Sequence, residues 1–509
     1  MQKFLKFSNA VICIFGLVIF SYLTFHSMRS TWFMVPAPGM EIPLSKNDSV
    51  LINILSLVIF VLALNLLSLF FRKKNTKVSD RIYKILLLLS FSFQLVMGML
   101  YVFSADRVPG GDQADIYNGV LSFMSGDYSS LLPENYLGRN PQQLGQVFLI
   151  ETILSVFKGS DYHLFQALIV LMSAGSVLAI WAVIRELTGN KAMALAGAVL
   201  AGFNPVTVYY SAWVYGDIPS IFFMLMASLM LLKYSKRKKF SYLMACTFFA
   251  VMGYMVRKNT LIFLLAIFII SLIKGMADKD LKLIIGGVCA LVIPMLIFGM
   301  IRSGYEKASG IPRCDGTPAA SFLYIGISEN GGKCGWFYKL PNEYFEAGCD
   351  PEKASEVLME KVKIRFDQMV HSPGYIPAFY GYKILSQWNE PLYQSVFYNH
   401  PHDDVHMEKV VSVFDKAVAF HFDKILFVVD RLQFIIFAGM LLYFALSLRK
   451  SPDLTVHILA VTIIGGFLFS IIWEAKARYI MPYYMMMFPA SIKGYYKLLV
   501  MLPGMRKKD

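Results

Sequence analysis

The chain has 509 residues, of which 56% are hydrophobic and only 16% are charged, and its mean hydropathy is +0.54. Soluble domains carry about a quarter charged residues, so this composition excludes a soluble globular protein and predicts an all-α polytopic membrane protein. The net charge of +14 comes from basic loops that suit membrane anchoring, and it gives no reason to expect a nucleic-acid partner.

Apolar runs of membrane-spanning length recur along the chain. Lys3 and Lys6 precede the first run, but no A-x-A-like cleavage site follows it, so we expect a retained helix rather than a signal peptide. The runs predict about twelve transmembrane helices, at 8–26, 50–71, 84–104, 162–184, 191–205, 218–232, 241–256, 260–273, 281–301, 425–447, 454–473 and 479–500.

Residues 143–158 form a further apolar stretch, which Gln146 and Glu151 interrupt. A thirteenth span here would reverse the side of every later loop. We predict instead a helix that lies at the outer membrane interface, as short amphipathic stretches do.

The basic loops predict the orientation. With twelve spans, all of them fall on one side, so we expect that side and both termini to be cytoplasmic. The basic clusters lie at 72–84, 233–239, 274–279, 449–450 and 506–508. The chain carries no eukaryotic retention signal, which favours a bacterial plasma membrane.

We predict four regions. Two N-terminal helices occupy 1–83, and a membrane module with an outer loop at 105–161 occupies 84–301. An extracytoplasmic mixed loop domain follows at 302–424, and helices with a basic tail close the chain at 425–509.

Three cysteines, Cys314, Cys334 and Cys349, lie in this outer domain. An oxidising exterior permits one bridge among them, and we favour Cys314–Cys334.

Asp112 and Asp115 follow the third predicted span at its outer end. Charge beside lipid is costly, so such carboxylates suggest function. Three-residue spacing places both on one face of a helix, where they suit a general base or ligands of a divalent cation. The alternative is that one of them caps the helix that follows.

Further charged residues fall at other outer helix ends. Asp217 follows an aromatic cluster, with helix capping as the alternative role. Arg478 has a planar fork suited to phosphate, although it could simply pair with Glu474. Arg257 and Lys258 lie on the outer side against the positive-inside trend, as expected for a lipid-phosphate site or for misplaced helix boundaries.

Trp388 and Glu390 suggest a sugar pocket, or else an interfacial belt. The segment 400–406 carries three histidines and two aspartates, but their spacing matches no strong metal pattern, and we favour a solvated loop. The sequence shows no P-loop, Rossmann fingerprint or hydrolase triad, which disfavours nucleotide-driven chemistry.

The order of these features resembles the GT-C superfamily of integral-membrane glycosyltransferases, and bacterial protein mannosyltransferases and lipid A aminoarabinose transferases most closely. The resemblance covers most of 84–500. It rests on Asp112 in a D-x-x-D-x-Y setting, the Pro-containing stretch 136–145, Asp217 in a seven-span module, and the Glu474/Arg478-Tyr479 segment. One departure is that Gln113 stands where many relatives have a glutamate.

The resemblance implies transfer of a monosaccharide from a polyprenyl-phosphate donor to an extracytoplasmic glycan, lipid or protein, with inversion and with Asp112 as the base. The other expected site residues are Asp115 and Asp217 for the acceptor or a divalent cation, Arg478, Arg257 and Lys258 for the donor phosphate, and Trp388, Glu390, Glu474 and Tyr479 for the sugar pocket. The alternatives are a lipid-linked glycan flippase or transporter and a glycan polymerase or ligase. A flippase predicts charges in mid-membrane, whereas these charges gather at outer helix ends.

Overall fold

The computed structural model describes residues 2–34, 41–73, 77–157, 159, 161–337, 339–399, 413–448 and 453–501. The histidine-rich segment 400–406 and the basic segments 449–450 and 506–508 lie outside these residues. The first half of the chain forms α1 (Gln2–Arg29), β1 (Ser30–Phe33), β2 (Leu44–Asn47), α2 (Val50–Lys73), α3 (Lys77–Ala105), α4 (Asp112–Met124), α5 (Tyr136–Arg139), α6 (Leu144–Phe157), α7 (Tyr162–Thr188), α8 (Lys191–Gly202), α9 (Pro205–Tyr209), α10 (Asp217–Arg237) and α11 (Phe240–Val256).

The second half adds a small outer region between long helices. Its elements are α12 (Leu261–Asp278), α13 (Leu281–Ser309), α14 (Ala319–Ile327), β3 (Glu329–Asn330), β4 (Lys333–Cys334), α15 (Glu343–Glu346), α16 (Pro351–Val370), α17 (Tyr375–Trp388), α18 (Ser395–Asn399), α19 (Val413–Ser447), α20 (Ile458–Ile472) and α21 (Ala477–Met501). The only strands in the described part of the chain form two antiparallel pairs, β1–β2 and β3–β4.

The described helices confirm an all-α polytopic membrane protein. Nine helical segments in the described residues are long and apolar enough to cross a membrane. The remaining predicted spans fall on α8 and α9, which are bent by 46°, on the 17-residue α11, and on α21. Pro482 and Pro489 interrupt the 25 residues of α21, whose tyrosines and lysines lower its mean hydropathy.

Helix α21 nevertheless lies in the middle of the bundle, because nearly every residue from its start to Tyr495 is buried. It packs on α7, α10 and α19. A side chain at Gly494 would overlap the carbonyl oxygen of Gly439 on α19, so two glycines allow the helix backbones to approach closely, as small residues do in membranes. The first turn of α21 is therefore held in place because the rest of the same helix is buried in the bundle.

Two long helices extend into the segment 302–424, which was predicted to lie outside the membrane. α13 continues to Ser309, and α19 already begins at Val413 rather than at residue 425. The extension of α19 is amphipathic rather than continuously apolar, and its Asp415 forms an ion pair with Arg107, just beyond the end of α3. The predicted boundary at 425 therefore marks where the helix becomes apolar and not where it starts.

Helix α6, which contains Gln146 and Glu151, lies against the ends of α11 and α13, and its place at a membrane interface stays a prediction. Gly145 packs against Met255 at the end of α11, and Glu151 accepts a hydrogen bond from Tyr305 near the end of α13. Fourteen residues span about 21 Å, which is less than the roughly 30 Å of a bilayer core.

The predicted Cys314–Cys334 bridge is wrong for this structure, in which both thiols are free. Cys314 Sγ lies 3.7 Å from the Tyr344 hydroxyl, whereas Cys334 belongs to a different apolar cluster with Met369 and Phe379. Spacing in the sequence did not reveal that the outer region has two small cores.

The basic loops gather at one end of the bundle. Lys191 pairs with Asp80 at 3.0 Å, and Lys238 pairs with Asp280 at 2.8 Å. Asp112 lies beyond the opposite end of α3 from Asp80. This separation is the one that the twelve-span parity requires.

Candidate functional site

Asp112 and Asp115 lie in the first turn of α4. Gly111 precedes them with φ 54°, a left-handed conformation that favours glycine, and it is the N-cap residue. No side chain caps this helix, so the alternative capping role of the two carboxylates is wrong. Asp112 remains 44% exposed, and its carboxylate is available for other contacts.

Asp112 faces a buried arginine. Its Oδ2 lies 3.7 Å from Nη2 of Arg478, whose side chain is only 4% exposed. The backbone N–H of Arg478 donates to Oε1 of Gln394 at 3.0 Å. The start of α21 thus brings a guanidinium to the first turn of α4, close to the C-terminal end of α3.

Aromatic rings surround the Arg478 guanidinium. Its Cζ lies 5.3, 5.0, 4.7 and 5.7 Å from the ring centroids of Trp213, Tyr215, Tyr398 and Tyr479. We call these four rings the aromatic cage. Such contacts stabilise a desolvated cation, but they leave Nε and Nη1 of Arg478 buried without a hydrogen-bond partner among the described residues. These N–H groups are suited to an anionic oxygen ligand.

A second guanidinium lies beside the cage. Arg257 forms an ion pair with Asp217 and lies 5.6 Å from the Tyr479 ring. Burial and the charge of Arg478 lower the pKa of Arg257. Two guanidinium groups therefore lie close together at the cage, and each has one carboxylate partner among the described residues.

Gly216 is the reason that Asp217 and Arg257 meet. A methyl group on Gly216 would overlap the carbonyl oxygen of Val256, so the start of α10 touches the end of α11 only because the side chain is missing. Asp217 is buried, and its Oδ2 has no hydrogen-bond partner among the described residues. Its partner is therefore an arginine rather than the backbone of the helix that it begins.

Lys258 does not share this arrangement. Its Nζ lies 3.8 Å from the centre of the Tyr254 ring and also faces Phe298. Its adjacent cation is Arg302 rather than Arg478. The geometry therefore places Arg257, and not Lys258, with Arg478.

The four predicted sugar-pocket residues divide into two pairs. Glu474 Oε1 accepts from the Tyr479 hydroxyl at 2.6 Å, so these two side chains border the cage, and Glu474 is not hydrogen-bonded to Arg478. Burial raises the pKa of Glu474. Trp388 is fully buried and donates to Ser470 at 2.9 Å, which places it in the helical core.

Glu390 is also buried behind the cage. Its Oε2 accepts from the backbone N–H of Gln394 at 2.8 Å, and Gln394 in turn holds the backbone of Arg478. Burial raises the pKa of Glu390 to about 8. The described geometry gives Glu390 a supporting position, and a direct contact with sugar stays a prediction.

The stretch 136–145 lies against the same cage. Gln143 donates a hydrogen bond to the hydroxyl of Tyr215, which belongs to the cage. Burial and the Asp112 carboxylate raise the pKa of Asp115, which the charge of Arg139 opposes. Asp115 therefore holds its proton more readily than an isolated aspartate.

The described residues contain no group of three or more His, Cys, Asp or Glu side chains placed to hold a metal ion. Asp112, Asp115 and Asp217 thus do not form a joint three-carboxylate site, because Asp217 turns to Arg257. A divalent cation bound by Asp112 and Asp115 stays a prediction.

Several neighbours of the cage were not predicted. Glu41 accepts from Tyr398 at 2.6 Å and pairs with Lys476 at 3.2 Å, and Gln394 supports Arg478. Glu41 stands in a loop with no charge pattern that marks it, and Tyr398 precedes the histidine-rich segment. Only the recurrence of tyrosines at outer helix ends hinted at the cage.

Residues 144–300 match the model of a family described as dolichyl-phosphate-mannose-protein mannosyltransferase. A comparison with curated proteins gave no match. The matched part contains Asp217 and Arg257 of the site, whereas Asp112 and Arg478 join it from either side. Together with the apolar helices, the match over this part of the chain supports a membrane glycosyltransferase of the GT-C type.

Proposed function

We propose that this enzyme transfers a monosaccharide from a polyprenyl-phosphate donor to a hydroxyl group of an extracytoplasmic glycan, lipid or protein. The observation that carries the proposal is the buried Arg478 guanidinium, with two unbonded N–H positions, 3.7 Å from a half-exposed Asp112. A phosphate binder and a carboxylate base side by side are what a displacement at an anomeric carbon needs.

The donor phosphate binds Arg478. The planar guanidinium offers N–H groups in the geometry of phosphate oxygens, and the aromatic cage keeps it in place without occupying those groups. The leaving polyprenyl phosphate is a monoester and carries more negative charge than the donor diester. Arg257 lies close enough to balance this developing charge, while Asp217 holds it in position.

Asp112 accepts the proton of the acceptor hydroxyl. The hydroxyl oxygen then forms the new bond to the anomeric carbon as the bond from that carbon to the phosphate oxygen breaks. The electron pair leaves with the polyprenyl phosphate, and a single displacement inverts the anomeric centre. Asp115 orients the acceptor beside Asp112, or the two carboxylates share a divalent cation that would neutralise phosphate charge.

The test uses purified protein with a panel of polyprenyl-phosphate monosaccharides and mass spectrometry of the released polyprenyl phosphate. We expect release from one donor class by the wild type, and an approximately hundredfold loss for Arg478→Ala, as when a charged binding group is removed. Arg478→Lys should recover little of the activity that Arg478→Ala loses, because lysine lacks the planar guanidinium fork.

Arg313→Ala is the matched control, because Arg313 is an exposed outer arginine that pairs with Asp315. It should behave as the wild type. Movement of an intact lipid-linked sugar across the membrane without release of polyprenyl phosphate would overturn the proposal in favour of a flippase.

A further inference from the structure

The loop between the first two helices reaches the site. The backbone N–H of Trp32 donates to Asn389 O at 3.1 Å, and Asn389 Nδ2 donates to Ser30 O at 2.7 Å. The hairpin β1–β2 is thus held against the segment before α18. Its end joins a buried cluster made of Met34, Trp336, Phe397, Ala475 and Ala477.

Glu41 extends from this loop to two neighbours of Arg478. Its Oε1 lies 2.6 Å from the Tyr398 hydroxyl and 3.2 Å from Lys476 Nζ. Lys476 Nζ also lies 3.2 Å from the Tyr398 hydroxyl, so the three groups form a closed triangle. The side chains of Glu41 and Lys476 are only 17% and 13% exposed, and their mutual pairing offsets the cost of burying both charges.

The triangle bears directly on Arg478. The Tyr398 ring approaches its guanidinium more closely than the other three rings of the cage do. Lys476 stands two residues before Arg478, in the chain segment that enters α21. Although burial alone would raise the pKa of Glu41, the charge of Lys476 and the Tyr398 hydroxyl hold that pKa below its usual range.

We propose that Glu41 is a positioning residue for the donor phosphate, and that the first helical hairpin completes the site through it. This inference rests on the proposed function. Glu41 fixes the Tyr398 ring and neutralises Lys476, so that Arg478 remains the cation that meets the phosphate. Neither partner of its carboxylate belongs to the hairpin, so the contact serves the neighbourhood of Arg478 rather than the fold of β1–β2.

The experiment is a double-mutant cycle with Glu41→Gln, Lys476→Met and both together, measured as donor KM, acceptor KM and kcat. We expect Glu41→Gln to raise the donor KM about tenfold, the effect of losing one charged hydrogen bond. The acceptor KM and kcat should change little, and the double variant should be no worse than the worse of the two single variants, because the residues act as a unit.

Lys46→Met is the control, because Lys46 lies on the same hairpin but pairs with the exposed Asp423 of α19 rather than with a residue of the cage. Tyr398→Phe removes only the hydroxyl that Glu41 accepts from, so it should raise the donor KM in the same direction even if Glu41→Gln folds poorly. Equal losses in donor KM, acceptor KM and kcat, or additive effects in the double variant, would overturn the inference.

Binding of polyprenyl phosphate alone, measured by titration calorimetry, separates the two levels of the proposal. If the wild type binds it and Glu41→Gln binds it equally well, the positioning role fails while the proposed function stands. If the wild type shows no binding, the proposed function itself fails.

Discussion

Arg478 has the unusual position of a buried cation held mainly by rings. Its single carboxylate contact among the described residues is Asp112, which is half-exposed, so solvent reaches one side of the ion pair. A buried arginine with unbonded N–H groups is costly unless a ligand satisfies them. This cost favours an anionic ligand at Arg478, because such a ligand would accept hydrogen bonds from the buried N–H groups.

Local spacing predicted the first turn of α4, because a three-residue interval is decided within one helix. The partner of Asp112 lies far along the chain, and no local pattern selects Arg478 over Arg257 or Lys258. Trp388 shows the opposite difficulty, since an aromatic residue near a helix end suits both an interface and a core. The structure places it in the core.

Glu390 gives a prediction about stability. Its pKa of about 8 in the folded protein exceeds the value of about 4.3 in an unfolded chain. Between these values the folded state binds the proton that the unfolded state has lost, so stability falls as pH rises through this window. We expect Glu390→Gln, which cannot ionise, to remove this fall.

Thermal unfolding in detergent from pH 5 to pH 8 checks this pH dependence of stability. The unfolding temperature of Glu390→Gln should rise relative to the wild type as pH increases, whereas the exposed Glu134→Gln should follow the wild type. If the unfolding temperatures of Glu390→Gln and the wild type changed with pH in parallel, the raised pKa of Glu390 would be refuted. Retained transfer activity in the same variant would argue against a direct sugar contact.

At the scale of elements, hydropathy located the apolar centre of each helix but missed polar extensions. The start of α19 is amphipathic and is stabilised by the ion pair of Asp415 with Arg107. Helix α21 was found although it is rich in tyrosine and proline, but its central position follows only from packing. Its buried surface makes it the element on which the site depends most.

The contact of α10 with α11 makes a second prediction. Gly216→Ala forces the two helix ends apart and separates Asp217 from Arg257, because a methyl group would overlap the Val256 carbonyl. Overpacking of this kind costs about 1–3 kcal/mol. We expect a lower unfolding temperature and a raised donor KM.

Gly304→Ala is the matched control, since Gly304 lies within α13 with no atom within 4 Å of the added methyl. It should leave transfer unchanged and be neutral or slightly stabilising, because alanine favours helices. Equal behaviour of the two variants would show that the close approach at Gly216 has no role.

At the scale of the whole molecule, the site is assembled from parts that lie on both sides of the matched family region. Residues 144–300 supply Asp217 and Arg257, while Asp112 comes from the first turn of α4, Tyr398 from α18 and Arg478 from the start of α21. The sequence order indicated that these loops share one end of the bundle. The individual contacts required the packed helices.

The orientation is a prediction that labelling checks. Asp127 lies exposed after α4 and Lys239 lies exposed between α10 and α11. With Cys314, Cys334 and Cys349 replaced by serine, Asp127→Cys should react with a membrane-impermeant maleimide on intact cells. Lys239→Cys should react only after permeabilisation, and the reverse pattern would contradict the positive-inside assignment.

The most direct measurement of the central claim is sugar transfer by Asp112→Asn, with polyprenyl phosphate binding measured on the same sample. The account predicts that transfer falls by about 100-fold or more, the usual contribution of a general base, while the unfolding temperature stays near that of the wild type and the phosphate still binds at Arg478. Transfer at nearly the wild-type rate by this variant would contradict Asp112 as the base.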